Sequence, residues 1–165
     1  MHVFITGGSG LTGLAVISEL IAAGHAVTGL ARSDAAAARL QALGAAALSG
    51  SLRDLDSLRA GAEGSDGVIH MAFSADREDP QSRARHDVAA TDAVGGVLAG
   101  SDRPLVITSG TLVMPGGRIS VETDAPDPDS VAAHRIPGRA GGARIRRAGD
   151  AAEPRPAGAQ RPWPW

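Results

Sequence analysis

Residues 1–13 read Met1-His-Val-Phe-Ile-Thr-Gly-Gly-Ser-Gly-Leu-Thr-Gly13. The apolar run from Val3 to Ile5 predicts a strand over His2 to Thr6. Gly7, Gly10 and Gly13 follow it, three residues apart. Leu14, Ile17, Leu20 and Ile21 then share one face of a helix expected from about Leu11 to Ala23. A glycine triplet alone, in a chain with 22 glycines, would be an ordinary strand-to-helix turn. Its place between strand and helix makes it a dinucleotide-binding pattern. In that pattern Gly7 allows the tight turn, Gly10 lets the main chain approach a pyrophosphate, and Gly13 lets the helix pack near the strand. The main-chain amides of Gly7, Gly8, Ser9, Gly10, Leu11, Thr12 and Gly13, at the positive end of the helix dipole, are the expected diphosphate cradle.

Outward from this stretch the chain alternates. Strands are expected at His25–Ala31, Ala45–Leu48, Gly67–Ala72 and Pro104–Ser109. Helices are expected at Asp34–Leu43, Leu52–Ala62 and Arg83–Ala99. Gly24 closes the first helix, Gly44 stops the second, and Ser33 or Asp34 caps the second at its start. Strands alternating with helices of about ten residues or more predict an α/β fold. This is a Rossmann-type doubly wound parallel sheet, with helices carried to both faces by right-handed crossovers. It is expected to be incomplete on its C-terminal side, with 1–138 as the nucleotide-binding domain.

Length and composition set the bounds. The 165 residues make one domain whose core is mostly Ala, Val and Leu, with only 2% aromatic residues. A net charge of −2 gives no general case for nucleic-acid or membrane binding. There is no cysteine, which excludes disulfides, thiolate catalysis and cysteine-ligated metal. No apolar run reaches membrane-spanning length. Met1-His2 leads directly into a strand, so a cytoplasmic protein without a signal peptide is expected. The chain also lacks tyrosine, and all 16 basic residues are arginine, so it has no lysine. A lysine-bearing phosphate loop is therefore absent, which argues against an NTPase. No metal site is expected: His86 and Asp87 are helical neighbours that point apart.

The pattern fails after Gly116, and residues 139–165 have no apolar period. Six arginines (139, 144, 146, 147, 155 and 161) face only Asp150 and Glu153 there, and the segment ends Arg161-Pro-Trp-Pro-Trp165. Three readings stand: a disordered tail, a basic arm for an acidic partner or RNA, and a frameshifted copy of a normal continuation. In a GC-rich gene the frame beside Arg139-Ala-Gly-Gly-Ala-Arg144 can read Glu-Gln-Ala-Ala-Leu-Ala, which would begin the next helix of the fold.

Thr6-Gly-Gly-Ser-Gly-Leu-Thr-Gly13 resembles the T-G-x-x-G-x-x-G motif of short-chain dehydrogenases/reductases. The likeness is to the extended and atypical branch that includes NAD-dependent epimerases and dehydratases. Gly50-Ser-Leu-Arg-Asp54 is similar to that family's G-D-L-x-D segment, and Val68-Ile-His-Met-Ala72 to its V-x-H-x-A strand. Ile107-Thr-Ser-Gly-Thr111 is similar to the strand end where its catalytic Ser or Thr sits. The resemblance covers about Met1 to Gly138. It implies an NAD(P)-binding oxidoreductase or epimerase acting by hydride transfer on a small carbonyl or sugar-like substrate, and a possible homodimer. Family members are usually much longer, so a truncated chain with weak or no turnover is expected. A non-catalytic NAD(P)-sensing module is the alternative.

The second strand ends Ala31-Arg32-Ser33, where an NAD enzyme commonly carries an acidic residue for the ribose. Arg32 suits a 2′-phosphate and Ser33 can add a hydrogen bond, so NADP is preferred to NAD. By resemblance, Ser51 stands where an Asp contacts adenine, Leu52 packs beside the ring, and His70, Met71 and Ala72 lie at the wall near the nicotinamide ribose. His70 is equally a satisfied strand-end histidine. The family's proton-transferring Tyr and Lys are missing; by register His134 and Gly138 take their places. His134 is a candidate acid/base or a plain loop histidine. Ser109 and Thr111 flank the catalytic-hydroxyl position, with Thr111 favoured to polarise a carbonyl.

Overall fold

The computed structural model describes residues 1–73, 79–121 and 123–137. In chain order the elements are β1 (His2–Thr6), α1 (Leu11–Ala22), β2 (Ala26–Ala31), α2 (Asp34–Ala42), β3 (Ala46–Ser49), α3 (Leu55–Glu63), β4 (Gly67–His70), α4 (Pro80–Leu98) and β5 (Leu105–Ile107). Two single turns of 3-10 helix follow, at Thr111–Val113 and Ala133–Arg135.

All strand pairs are parallel and the order is β3-β2-β1-β4-β5. The chain winds outward from β1 to β3, then returns past β1 to β4 and β5. That reversal opens a crevice at the carboxyl ends of β1 and β4, where open α/β sheets bind ligands. This is the doubly wound α/β sheet that the alternation predicts.

Successive strand residues point to opposite faces, and Phe4 and Ile5 show the consequence. Phe4 joins Val68, Leu58, Ala62, Ala90 and Val94 in the core under α3 and α4. Ile5 joins Ile17, Val27, Ala36 and Leu40 in the core under α1 and α2. With few large side chains available, close approach replaces bulk. A Cβ on Gly61 of α3 would lie 2.6 Å from Cε1 of Phe4, so the helix rests directly on the ring.

The caps set the helix starts. Ser33 Oγ accepts the Ala36 N–H at 3.2 Å, which settles the cap of α2 on Ser33 rather than Asp34. Asp54 accepts the Ser57 N–H at 3.1 Å, so α3 begins at Leu55, not at Leu52. Leu52 is left in the turn, where it is buried against the core. Asp79 accepts the Ser82 N–H at 2.9 Å and Pro80 takes the first helical position, so α4 starts before Arg83. β4 ends at His70 and β5 at Ile107, both shorter than expected. No helix among the described residues is long and apolar enough to cross a membrane. Gly138 and the three readings of 139–165 lie outside the described residues.

Candidate functional site

The β1–α1 turn is built by its glycines. Gly7 has φ +74, a left-handed conformation that favours glycine, and a Cβ there would lie 2.8 Å from the Ala72 nitrogen. A Cβ on Gly13 would collide with the Gly7 carbonyl and with Gly8, so α1 can pass this close only without a side chain. Gly10 differs. Its φ is −80, and a Cβ would meet nothing closer than the Gly7 carbonyl at 3.4 Å. Among the described residues, nothing requires glycine at this position.

Gly10 is also the N-cap of α1, and no side chain caps that helix, whereas α2, α3 and α4 are capped by Ser33, Asp54 and Asp79. The first amides of α1 therefore remain available at the positive end of the dipole. The turn that precedes them, through Gly7, Ser9 and Gly10, lines a cavity of about 560 Å³ at the carboxyl ends of the strands.

Of the residues expected at the site, this cavity brings together Gly7, Ser9 and Gly10 from the turn, Arg32 and Ser33 after β2, and Ser51 and Leu52 after β3. Met71 and Ala72 after β4 complete that set. Ser33 spends an oxygen lone pair on its cap and keeps its O–H proton for a ligand. Ser51 Oγ accepts the Arg53 N–H at 3.2 Å.

Other expected residues are not on the wall. Gly8, Leu11, Thr12 and Gly13 lie in the turn and first helical turn without lining the cavity, and the Leu11 side chain is exposed. The His70 ring, only 2% exposed, turns into the core. Its Nδ1 is 2.9 Å from Thr6 Oγ1 and its Nε2 3.3 Å from Asp87 Oδ1, so both ring nitrogens have protein partners. Ser109 and Thr111 are exposed in the segment after β5 and do not line the cavity. His134 stands with its ring centroid 6.2 Å from that of Phe73, a cavity residue.

The cavity also contains Leu30, Ala36, Arg39, Arg53, Phe73 and His86, which the sequence pattern does not single out. Arg39 Nη1 donates to the Ser9 carbonyl at 3.2 Å and its Nε to Ala35 at 3.3 Å. It thereby ties α2 to the glycine turn. Arg32, Arg39 and Arg53 give the β2–β3 end of the cavity three guanidinium groups, and no carboxylate residue is among its described lining. Arg53 could have been suspected from its place in Gly50-Ser-Leu-Arg-Asp54. Arg39, six residues past the Ser33 cap, carries no such signal.

A sequence model of a family described as NAD(P)H-binding matches residues 7–112. An uncharacterized protein of Saccharomyces cerevisiae is 47% identical over 132 residues, which is 79% of this chain and 44% of that protein. The 4-hydroxy-2-methyl-3-oxo-4-farnesyl-3,4-dihydroquinoline-1-oxide ketoreductase of Stigmatella aurantiaca is 34% identical over 132 residues, 78% of this chain and 39% of the relative. The chain thus spans less than half the length of either. Among solved structures, a short-chain dehydrogenase/reductase superfamily protein from Agrobacterium tumefaciens with bound NAD superposes with a TM-score of 0.70 at 21% identity. That match covers 89% of this chain and 45% of the other.

Proposed function

Because the chain belongs to the NAD(P)H-binding family, within the short-chain dehydrogenase/reductase superfamily and its epimerase/dehydratase-like branch, we propose that it binds NADP in preference to NAD and serves hydride transfer on a small carbonyl substrate. The observation that carries the binding site is Gly10. Its backbone is unstrained and a Cβ would be tolerated by the protein, yet it stands on the cavity wall at an uncapped helix start. The space a side chain would take is the space a diphosphate needs.

Bound NADPH would supply a hydride to the carbonyl carbon, with a proton delivered to its oxygen. The chain's residues do the rest. The α1 amides hold the diphosphate. Arg32, Arg53 and the Ser33 hydroxyl face the 2′-phosphate, and guanidinium groups match phosphate oxygens in charge and geometry. Arg39 fixes the turn through Ser9. Ser51 and Leu52 flank the adenine. Met71 and Ala72 line the approach to the nicotinamide ribose, with His70 beneath them as a positioning group. Thr111, with Ser109 beside it, polarises the carbonyl oxygen, and His134 is the nearest candidate proton donor. Tyrosine and lysine are absent from the sequence, so proton delivery falls to a group other than the family's Tyr–Lys pair, and slow turnover is the expected result.

Calorimetric titration of the full chain with NADP⁺ and NAD⁺ tests the reading. Tighter binding of NADP⁺ is expected. Folded protein that binds neither dinucleotide would refute it.

A further inference from the structure

We propose that Arg83 and Arg135, gathered on the ring of Phe73, form a subsite for an oxyanion carried by the carbonyl substrate; this rests on the dinucleotide reading of the adjoining cavity. Arg135 Cζ lies 4.1 Å from the Phe73 ring centroid and Arg83 Cζ 5.8 Å from it. Both are within the range of attraction between a cation and an aromatic ring. One arginine comes from α4 and the other from the 3-10 turn at Ala133–Arg135, so the tertiary fold alone brings them together. The His134 ring stands tilted against the same phenyl group.

Two cations sharing one ring repel each other, and among the described residues no carboxylate contact neutralises them. The ion pairs among the described residues are Arg59–Asp56, Arg118–Asp124 and His70–Asp87, and none uses Arg83 or Arg135. Asp87, one turn along α4 from Arg83, is engaged by His70. The Nε atoms of both arginines are buried without a hydrogen-bond acceptor. Buried guanidinium donors left open in this way favour an oxyanion, because each bond to it would be charge-assisted.

Position gives the anion its source. Phe73 lines the dinucleotide cavity, as does His86, one turn along α4 from Arg83. Arg135 Nη1 lies 3.5 Å from the place a Cβ of Gly110 would occupy, and Gly110 sits between Ser109 and Thr111. An oxyanion on these arginines would therefore be neighbour to the hydroxyls assigned to the carbonyl. The cofactor's own charged groups are accounted for elsewhere, at the glycine turn and at Arg32 and Arg53. Carboxylate and phosphate are both suited to the pair, so the substrate class is an oxo acid or a phosphorylated aldehyde or ketone.

The test uses the full chain with and without saturating NADP⁺, titrated by ligand-observed NMR. The three probes are 4-oxobutanoate, its neutral methyl ester, and glycolaldehyde phosphate. At least one anion is expected to bind about tenfold or more tightly than the ester, and which anion wins identifies the source. Arg135→Met and Arg83→Met should each remove about tenfold of that preference while leaving NADP⁺ affinity unchanged. Arg135→Lys should restore part of it. Ester and acids binding alike, or no probe binding to protein that holds NADP⁺, overturns the subsite. So does loss of NADP⁺ affinity in either Met variant, since the guanidinium would then serve the cofactor. Anion preference in a chain that binds no dinucleotide would keep the subsite and refute the cofactor reading. Should one Met variant fail to fold, the other, on a separate element, decides.

Discussion

The Thr6 hydroxyl lies 2.9 Å from Nδ1 of His70, with both side chains buried at the carboxyl ends of adjacent strands. Thr6 Oγ1 also accepts the Ala72 N–H at 3.2 Å, and His70 Nε2 reaches Asp87 Oδ1 on α4 at 3.3 Å. The set is self-consistent when the Thr6 hydroxyl donates to Nδ1 and the Nε2–H donates to the carboxylate. It joins β1, β4 and α4 beneath the site. Thr6→Val keeps shape but removes the acceptor for Ala72 and the donor to His70. A loss of about 1–3 kcal/mol in urea unfolding is expected. An unchanged midpoint would show that the network adds nothing to the fold.

Gly10 and Gly13 should separate binding from folding. Gly10→Leu should fold, since a Cβ meets nothing closer than 3.4 Å, yet it should abolish dinucleotide binding. Gly13→Val, which drives a side chain into Gly7 and Gly8, should unfold the turn or the chain. Circular dichroism and calorimetry on both variants check this. Full NADP⁺ affinity in the Gly10 variant would remove the glycine turn from the site.

Cofactor choice should follow the arginines on the cavity wall. Arg32→Met and Arg53→Met should each weaken NADP⁺ by about tenfold or more, the scale of one charge-assisted contact, and change NAD⁺ little. Rising salt should weaken NADP⁺ more than NAD⁺, through screening of partly exposed charge. Parallel loss of both dinucleotides would assign these residues to something other than the 2′-phosphate.

Gly61→Val should be among the most damaging core changes. Its side chain would meet the Phe4 ring, which is wholly buried. Overpacking of this kind costs about 1–3 kcal/mol or more, and thermal unfolding would register it. A melting point equal to wild type would mean that α3 shifts freely on the sheet.

Acid should act through the cap of α4. The Ser82 backbone N–H, then the Ser82 hydroxyl, hold the Asp79 carboxyl below its ordinary value, outweighing a small opposing effect of burial. A carboxyl lowered in the folded state adds stability above its unfolded value, and that stability is lost as pH falls through the folded one. Asp79→Ala should therefore destabilise at neutral pH and lose less on acidification than wild type. Parallel acid-unfolding curves for the two proteins would contradict this.

Local spacing was enough for the fold. Val3 to Ile5, the glycine triplet and the apolar face of Leu14 to Ile21 dictate β1, the turn and α1, and the same periodicities recur through β5. Period and composition are set by neighbours in the chain, so the alternation and the doubly wound class could be read directly. Element ends were less legible. Asp54 and Asp79 fix the starts of α3 and α4 through single hydrogen bonds, which Leu52 and Arg83, placed by periodicity, do not reveal.

The sequence by itself determined a parallel α/β chain with a dinucleotide turn at Gly7–Gly13, because strand, glycine turn and helix are contiguous there. Tertiary structure alone decided that Arg39 joins Arg32, and that His70 faces Thr6 and Asp87 rather than the cavity. It also decided that Arg83 and Arg135 meet on Phe73, 52 residues apart in the chain. Such meetings depend on strand order and on which face each residue takes, and those are settled by packing across the sheet rather than by the spacing of residues along it.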